Sequence, residues 1–537
     1  MKRIFTLLIC LFVTSSIYAS PNHKSDNTGF IGINLRNIKD WSTAYPFLNF
    51  VKQAREFNDG KGGKLDLDEN GWVRSLKSGQ FVNILFVTLT QDTLPYKRFI
   101  VRYKGEGKVI YWHAAKKIKS IAKNVDLIEV DISNRDVAFG VMRITRTNPR
   151  NYIRDIEIVP QKYIDIYDKG EIFNPDYINF ISQFKTLRFM DWLETNNSHI
   201  ARWDERPKMT DSRWSKKGVP YEVIIRLANK TKTNPWITIP HLATDTHIRK
   251  LAKLIKKSLD PGLIAYIEYS NEVWNRGFLQ ARYATDMGIK RWGRKTPFVG
   301  SQWYAMRSAQ ICDIFKKEIF KNESSRIHCV IGTQTAWKNL GNYVLDCPQW
   351  VKEGNEPCYK HGFNSLAITG YFKGCLDGAP RNGKPEYTDR IRDWARQGKD
   401  GIKKAFDQIE FGTYFDCNLT LNELGKLYRY YKQVADKRGL ILTAYEGGSH
   451  VVVNGYAKYR HDELLVNFSH KLNRHKRMYD LYIKNFNLWK NYGGDIFLHY
   501  YDIGLPSKHG SWGAIEYLGQ KSTPKYDAIL TINRTQK

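Results

Sequence analysis

The chain has 537 residues, 42% of them apolar, and a formal net charge of +30. It can bury a large core, and its length excludes a single ordinary domain, so one large domain with a smaller module is expected. None of its seven cysteines shows zinc-ligand spacing, so no metal site is expected.

Lys2 and Arg3 precede an apolar run from Ile4 to Val13 and a small-residue stretch ending in Ala19 and Ser20. This is the layout of a secretory signal over 1–20, cleaved after Ala19 or Ser20. The run is too short to span a bilayer comfortably, and no later segment approaches its apolar length. The mature chain is therefore expected to be secreted or periplasmic, without a transmembrane segment.

From Gly29 the sequence G-F-I-G-I-N-L-R-N reads as a strand ending in Asn34, Arg36 and Asn37, and Phe47 to Phe57 has helical spacing. A glycine-rich turn follows at 58–63. Between about 64 and 165 short β-rich runs recur without helices, among them Phe81 to Leu89, Arg98 to Tyr103, Val125 to Ile132 and Val137 to Thr145. Such spacing predicts an antiparallel, sandwich-like module inserted over 58–169.

From Pro175 helices and strands alternate. Strands are predicted to begin near 30, 187, 236, 263, 328, 366, 440 and 495. Eight is the number that closes a parallel (β/α)8 barrel, so the fold class is α/β, a TIM barrel built from 28–57 and 170–537. In the fourth strand, Leu263, Ala265, Ile267 and Tyr269 share one face, while Ile264, Tyr266, Glu268, Ser270 and Glu272 share the other. The apolar set suits the outer helices, and the mixed set points Glu272 into the barrel. Glu268 lies deeper on that face and needs a partner such as an arginine. Gly439 to Gly448 is a second apolar strand ending in a carboxylate, Glu446, on strand seven. Trp203, Trp214 and Trp337 stand in loops that could line a cleft.

Cys10 leaves with the signal. Cys347 and Cys358 bracket a short Pro, Gly and Asn-containing loop that a disulfide would staple, whereas Cys312 and Cys329 fall inside a helix and a strand and read as buried free thiols. Lysines scattered over helix faces carry much of the surplus charge, which attracts polyanions. The tightest cluster, Lys471 to Arg477, has no interleaved aromatic residues, so nucleic acid is not an expected partner.

Two carboxyl groups in different protonation states can hydrolyse a glycosidic bond: one protonates the leaving oxygen and the other meets the developing positive carbon. At about 5 to 5.5 Å apart one is a nucleophile and configuration is retained. Asn271-Glu272 ending strand four and Glu446 ending strand seven resemble the clan of retaining glycoside hydrolases built on (β/α)8 barrels, which includes cellulases, mannanases and xylanases. The resemblance covers the barrel and not the β module. It implies that Glu272 is the acid/base, Glu446 the nucleophile, and Asn271 a contact to the sugar 2-hydroxyl. It also implies substrate-binding or positioning roles for Arg188, His241, Tyr371 and Trp512, with no cofactor and no metal. Many members have Asn-Glu-Pro where this chain has Asn271-Glu272-Val273. The expected partner is a polysaccharide, acidic if the charge is used. The alternative is a non-catalytic carbohydrate-binding or surface-interaction protein on the same barrel.

Overall fold

A computed structural model of the chain describes residues 30–90, 93–131, 137–377, 385–453 and 461–535. The predicted signal at 1–20 lies outside the described residues. Among them, no helix is long and apolar enough to cross a membrane.

The barrel opens with β1 (Ile31–Asn34). Nine antiparallel strands follow before the second barrel strand: β2 (Asp66–Leu67), β3 (Val73–Ser75), β4 (Val82–Leu89), β5 (Arg98–Lys104), β6 (Gly107–His113), β7 (Ala115–Ala122), β8 (Val125–Val130), β9 (Ala138–Thr147) and β10 (Arg154–Pro160). The barrel resumes with β11 (Thr186–Arg188), β12 (Asn234–Ile239), β13 (Ala265–Tyr269), β14 (Ile327–Gly332), β15 (Ser365–Phe372), β16 (Ile441–Ser449) and β17 (Gly494–His499). In the order β1-β11-β12-β13-β14-β15-β16-β17 these strands form a closed barrel, parallel at every seam including β1 against β17. Alternation along each strand splits its side chains between two cores. Trp236, Tyr266, Val330, Ala367, Tyr445, Ile496 and Leu498 fill the barrel interior. Ala265, Ile267 and Tyr269 belong to the outer core beneath the helices, as the sequence pattern predicts.

The antiparallel strands form sheets of order β10-β5-β8-β7 and β4-β9-β6, with β2-β3 as a separate pair. The two larger sheets meet through Phe86 on β4 and Phe99 on β5, at 6.1 Å between ring centroids. Phe50 packs edge-on against Phe99, so the core of these sheets is continuous with the outer core of the barrel. The predicted helix at 47–57 is only one 3-10 turn, Phe50–Gln53; burial against both sheets and barrel, rather than helix periodicity, explains its apolar residues.

Three disulfides join Cys312 to Cys329, Cys347 to Cys358 and Cys375 to Cys417. Cys312 and Cys329 are thus not free thiols: the helix Val299–Asp313 lies over β14 with Cα atoms 6.0 Å apart, within bridging range. Of the tryptophans expected to line a cleft, Trp214 is withdrawn into the core and Trp203 is half-buried. Trp214 packs edge-on against Phe47 and is buried, and Trp203 stacks on Tyr221. Trp337 is exposed, against Phe298.

Candidate active site

Arg188, the last residue of β11, is fully buried in the barrel. A guanidinium has five N–H donors in a fixed fork, and here each finds an acceptor. Nε and Nη2 hold the two oxygens of Glu268 at 2.9 and 3.1 Å, and Nη2 also donates to Asn271 Oδ1 at 2.9 Å. Nη1 donates to Asn34 Oδ1 at 3.0 Å and to Glu446 Oε1 at 2.8 Å. Glu268 Oε2 accepts a further bond from Trp236 Nε1 at 2.7 Å. Arg188 is therefore both the partner that buried Glu268 requires and the cation beside Glu446.

Glu446 reaches the same interior because β16 bulges. The β15–β16 register steps from Ile368 opposite Ala444 to Thr369 opposite Glu446, leaving Tyr445 as an extra residue. Tyr445 belongs to the interior core and its neighbour Glu446 also faces Arg188, which strict alternation would forbid. The second carboxylate oxygen of Glu446 accepts the Tyr371 hydroxyl at 3.0 Å. Burial pushes the Glu446 carboxyl up to about 8, with Arg188 pulling it down and the charge of Glu272 adding to the rise.

Glu272 is positioned by a turn. β13 ends at Tyr269, and Ser270 and Glu272 take left-handed backbone angles, φ 62° and 42°, which strain a residue with a side chain. The alternation that predicts an inward Glu272 thus stops short of it. The half-buried carboxylate accepts the Tyr445 hydroxyl at 3.1 Å and the Asn275 amide at 3.2 Å. Asn271 is buried and fixed at both ends: Oδ1 accepts from Arg188, and Nδ2 donates to Asn196 Oδ1 at 3.1 Å.

The structure thus brings together Arg188, Asn271, Glu446, Tyr371 and, through Tyr445, Glu272. Trp512 joins through rings: Tyr500 and His450 each contact both Tyr371 and Trp512. His241 is buried beyond the end of β12, edge-on to Tyr283, and burial followed by the charge of His199 lowers its imidazole to about 4. It makes no hydrogen bond to either glutamate. Tyr445, Tyr500 and Asp191 are additions, whereas His450 stands near Glu446 in the sequence as well, just after Gly447-Gly448. Asp191, beyond β11, makes no side-chain hydrogen bond among the described residues, and burial followed by the charge of Glu194 raises it to about 7. Asn34 carried a sequence signal, a polar residue at a strand end; Tyr445 carried none, because a bulge is not visible in apolar periodicity. No group of three or more His, Cys, Asp or Glu able to hold a metal occurs among the described residues.

No protein-family model and no curated protein matches the sequence. Among solved structures, the chain is similar to the GH51 arabinofuranosidase from Xanthomonas axonopodis pv. citri at 10% identity and TM-score 0.38, over 67% of this chain and 65% of that one. It is also similar to an endo-1,4-beta-D-xylanase from Clostridium thermocellum, at 10% identity and TM-score 0.37 over 92% and 98% of the two chains. An endo-beta-1,4-mannanase from Thermotoga petrophila matches at 13% identity and TM-score 0.25, over 67% and 72%. The chain thus spans just under two thirds of the arabinofuranosidase. Likenesses this distant carry no functional argument, which rests instead on the site.

Proposed function

We propose that the barrel is a retaining glycoside hydrolase of an exported polysaccharide- or oligosaccharide-degrading protein. The observation that carries this reading is the unequal pair of carboxylates. Glu446 is buried, with a guanidinium on one oxygen and a tyrosine hydroxyl on the other. Glu272 is half-buried and, among the described residues, hydrogen-bonded by neutral donors. A tyrosine adjacent to Glu446 reaches Glu272, which sets both carboxyls at one mouth.

In the first step ionised Glu446 attacks the anomeric carbon while protonated Glu272 gives its proton to the departing glycosidic oxygen; because burial raises the Glu446 carboxyl to about 8, the reactive form is the one in which the proton shared by the two carboxyls sits on Glu272. In the second, ionised Glu272 takes a proton from water, which attacks the same carbon and releases Glu446. Arg188 neutralises charge on Glu446 as the glycosyl ester breaks, and Tyr371 fixes the orientation of its carboxylate. Asn271, locked by Arg188, offers its remaining amide hydrogen to a sugar hydroxyl; Trp512 and Tyr500 offer ring faces. Three disulfides suit an oxidising, extracytoplasmic setting.

Glu446→Ala is expected to abolish hydrolysis across a panel of neutral and uronic glycans while leaving the circular dichroism spectrum unchanged. A 2-deoxy-2-fluoro-glycoside of a cleaved sugar should label the wild type, with the added mass on the peptide containing Glu446. Full activity in the variant would overturn the assignment, and sugar binding without turnover or labelling would favour the non-catalytic alternative.

A further inference from the structure

A cavity of about 240 Å³ lies between the loop after β17 and the C-terminal end of the helix Glu463–Arg474. Empty cavities in proteins are apolar. This one is lined by Lys525, 4% exposed, in the first turn of the helix Pro524–Arg534. An ammonium has three donors. Among the described residues, Lys525 Nζ hydrogen-bonds only the carbonyl of Ser511. Glu516, on the same wall, makes no hydrogen bond to it among the described residues and acts on it only through its charge, while Arg474 holds its two oxygens at 2.6 and 2.8 Å.

A second buried group faces the same shortage. Ser511 also lines the cavity and is 4% exposed, and its hydroxyl has no hydrogen-bond partner among the described residues. A buried hydroxyl without a partner keeps its full desolvation cost, as does each unmet donor. Burial lowers the Lys525 ammonium to about 7; the charge of Glu516 offsets that fall only in part, and the charge of Arg474 adds to it. The helix of which Lys525 forms the first turn adds the positive end of its dipole. Cation, hydroxyl and helix end all ask for negative charge with several acceptor oxygens.

We propose that this cavity binds a small oxyanion, a sulfate, phosphate or carboxylate group, either free or carried on a sugar. Lys525 and Ser511 donate to it, and Arg474 stands at its rim. The proposal is independent of the chemistry assigned to Glu272 and Glu446.

The test is thermal unfolding of the full chain in sulfate, phosphate or glucuronate against chloride at equal ionic strength, because a ligand that binds only the native state raises Tm saturably. Wild type and Glu446→Ala should both show a saturable rise with at least one of these anions. Lys525→Met and Ser511→Ala should require roughly tenfold more anion for the same rise. Sulfate or phosphate alone would identify a free inorganic ion, and glucuronate a group carried on sugar. Ser511→Ala, a small change, keeps the test open if Lys525→Met fails to fold. No rise over chloride in wild type, or wild-type responses in both variants, would overturn the proposal.

Discussion

Arg188 brings one positive charge to two buried carboxylates, Glu268 and Glu446. The bidentate pair with Glu268 already neutralises it, so ionising Glu446 puts an uncompensated negative charge into the barrel. That is why burial prevails over Arg188 and the Glu446 carboxyl rises to about 8 from its ordinary 4.5. The sign of the linkage follows. A carboxyl raised in the folded state gives stability that is complete below about 4.5 and is lost as pH rises through about 8. Glu446→Gln removes the titration and keeps an oxygen for Arg188. The variant should therefore melt above wild type at pH 8 or higher, with the gap closing as pH falls towards the ordinary carboxylate range. Calorimetry over a pH series reads this directly, and a gap independent of pH would show that Glu446 is not a buried ionised cost. Part of this cluster was legible in the sequence: alternation placed Glu268 inside, and a buried carboxylate requires a cation. That the same cation also serves Glu446 came only from the resemblance. Tyr445 was not legible at all, since the bulge inverts its neighbour's face.

At the scale of elements, the seven residues before Ser449 show how backbone shape positions a carboxylate. Gly447 and Gly370 lie on paired strands under the ring of Phe497 on β17. A Cβ built on Gly447 would stand 2.2 Å from Phe497 Cζ, and one on Gly370 would stand 2.3 Å from its Cε2. The sequence reads Gly447-Gly448 as the end of a strand, but β16 runs on through Ser449, and Gly447 is there because an aromatic ring occupies the space a side chain would need. Gly447→Ala must move either the ring or the strand that carries Glu446. Overpacking of this kind costs about 1–3 kcal/mol, and the expected result is a lower Tm together with a kcat reduced by more than KM changes. Adding Phe497→Leu should restore much of both. Wild-type Tm and kcat in the single variant would mean that the ring yields without moving the carboxylate. The disulfide between Cys312 and Cys329 belongs to this scale as well: each cysteine's element was readable, but the approach of helix to strand depends on packing that sequence does not display.

For the whole molecule, the surplus of 84 basic over 54 acidic residues must be placed somewhere. Many acids are already engaged by cations across helices and loops, such as Glu318 by Arg249 and Glu353 by Arg291, so the surplus is borne by cations left facing water. One concentration is on and around β7, the edge strand of a sheet, where Lys116 and Lys119 are exposed, as are Lys108 on β6 and Lys123, while Lys117 is paired with Asp126 at 2.7 Å. The sandwich-like character of this region was legible, whereas the assignment of strands to its two larger sheets was not, because neighbouring strands in sequence pair into different sheets. Charge spread in this way acts over roughly a Debye length, about 8 Å at physiological salt, and so affects encounter with a long polyanion far more than it affects one bound sugar ring. If the proposed hydrolase takes an acidic polysaccharide, its kcat/KM for uronic chains should fall steeply as sodium chloride rises, mostly through KM. Its kcat/KM for a neutral glycan or a short aryl glycoside should change little over the same range. Replacing Lys108, Lys116 and Lys119 together by glutamine should flatten the salt dependence for the uronic chain without lowering kcat. Equal salt dependence for charged and neutral substrates would detach the surplus charge from substrate capture.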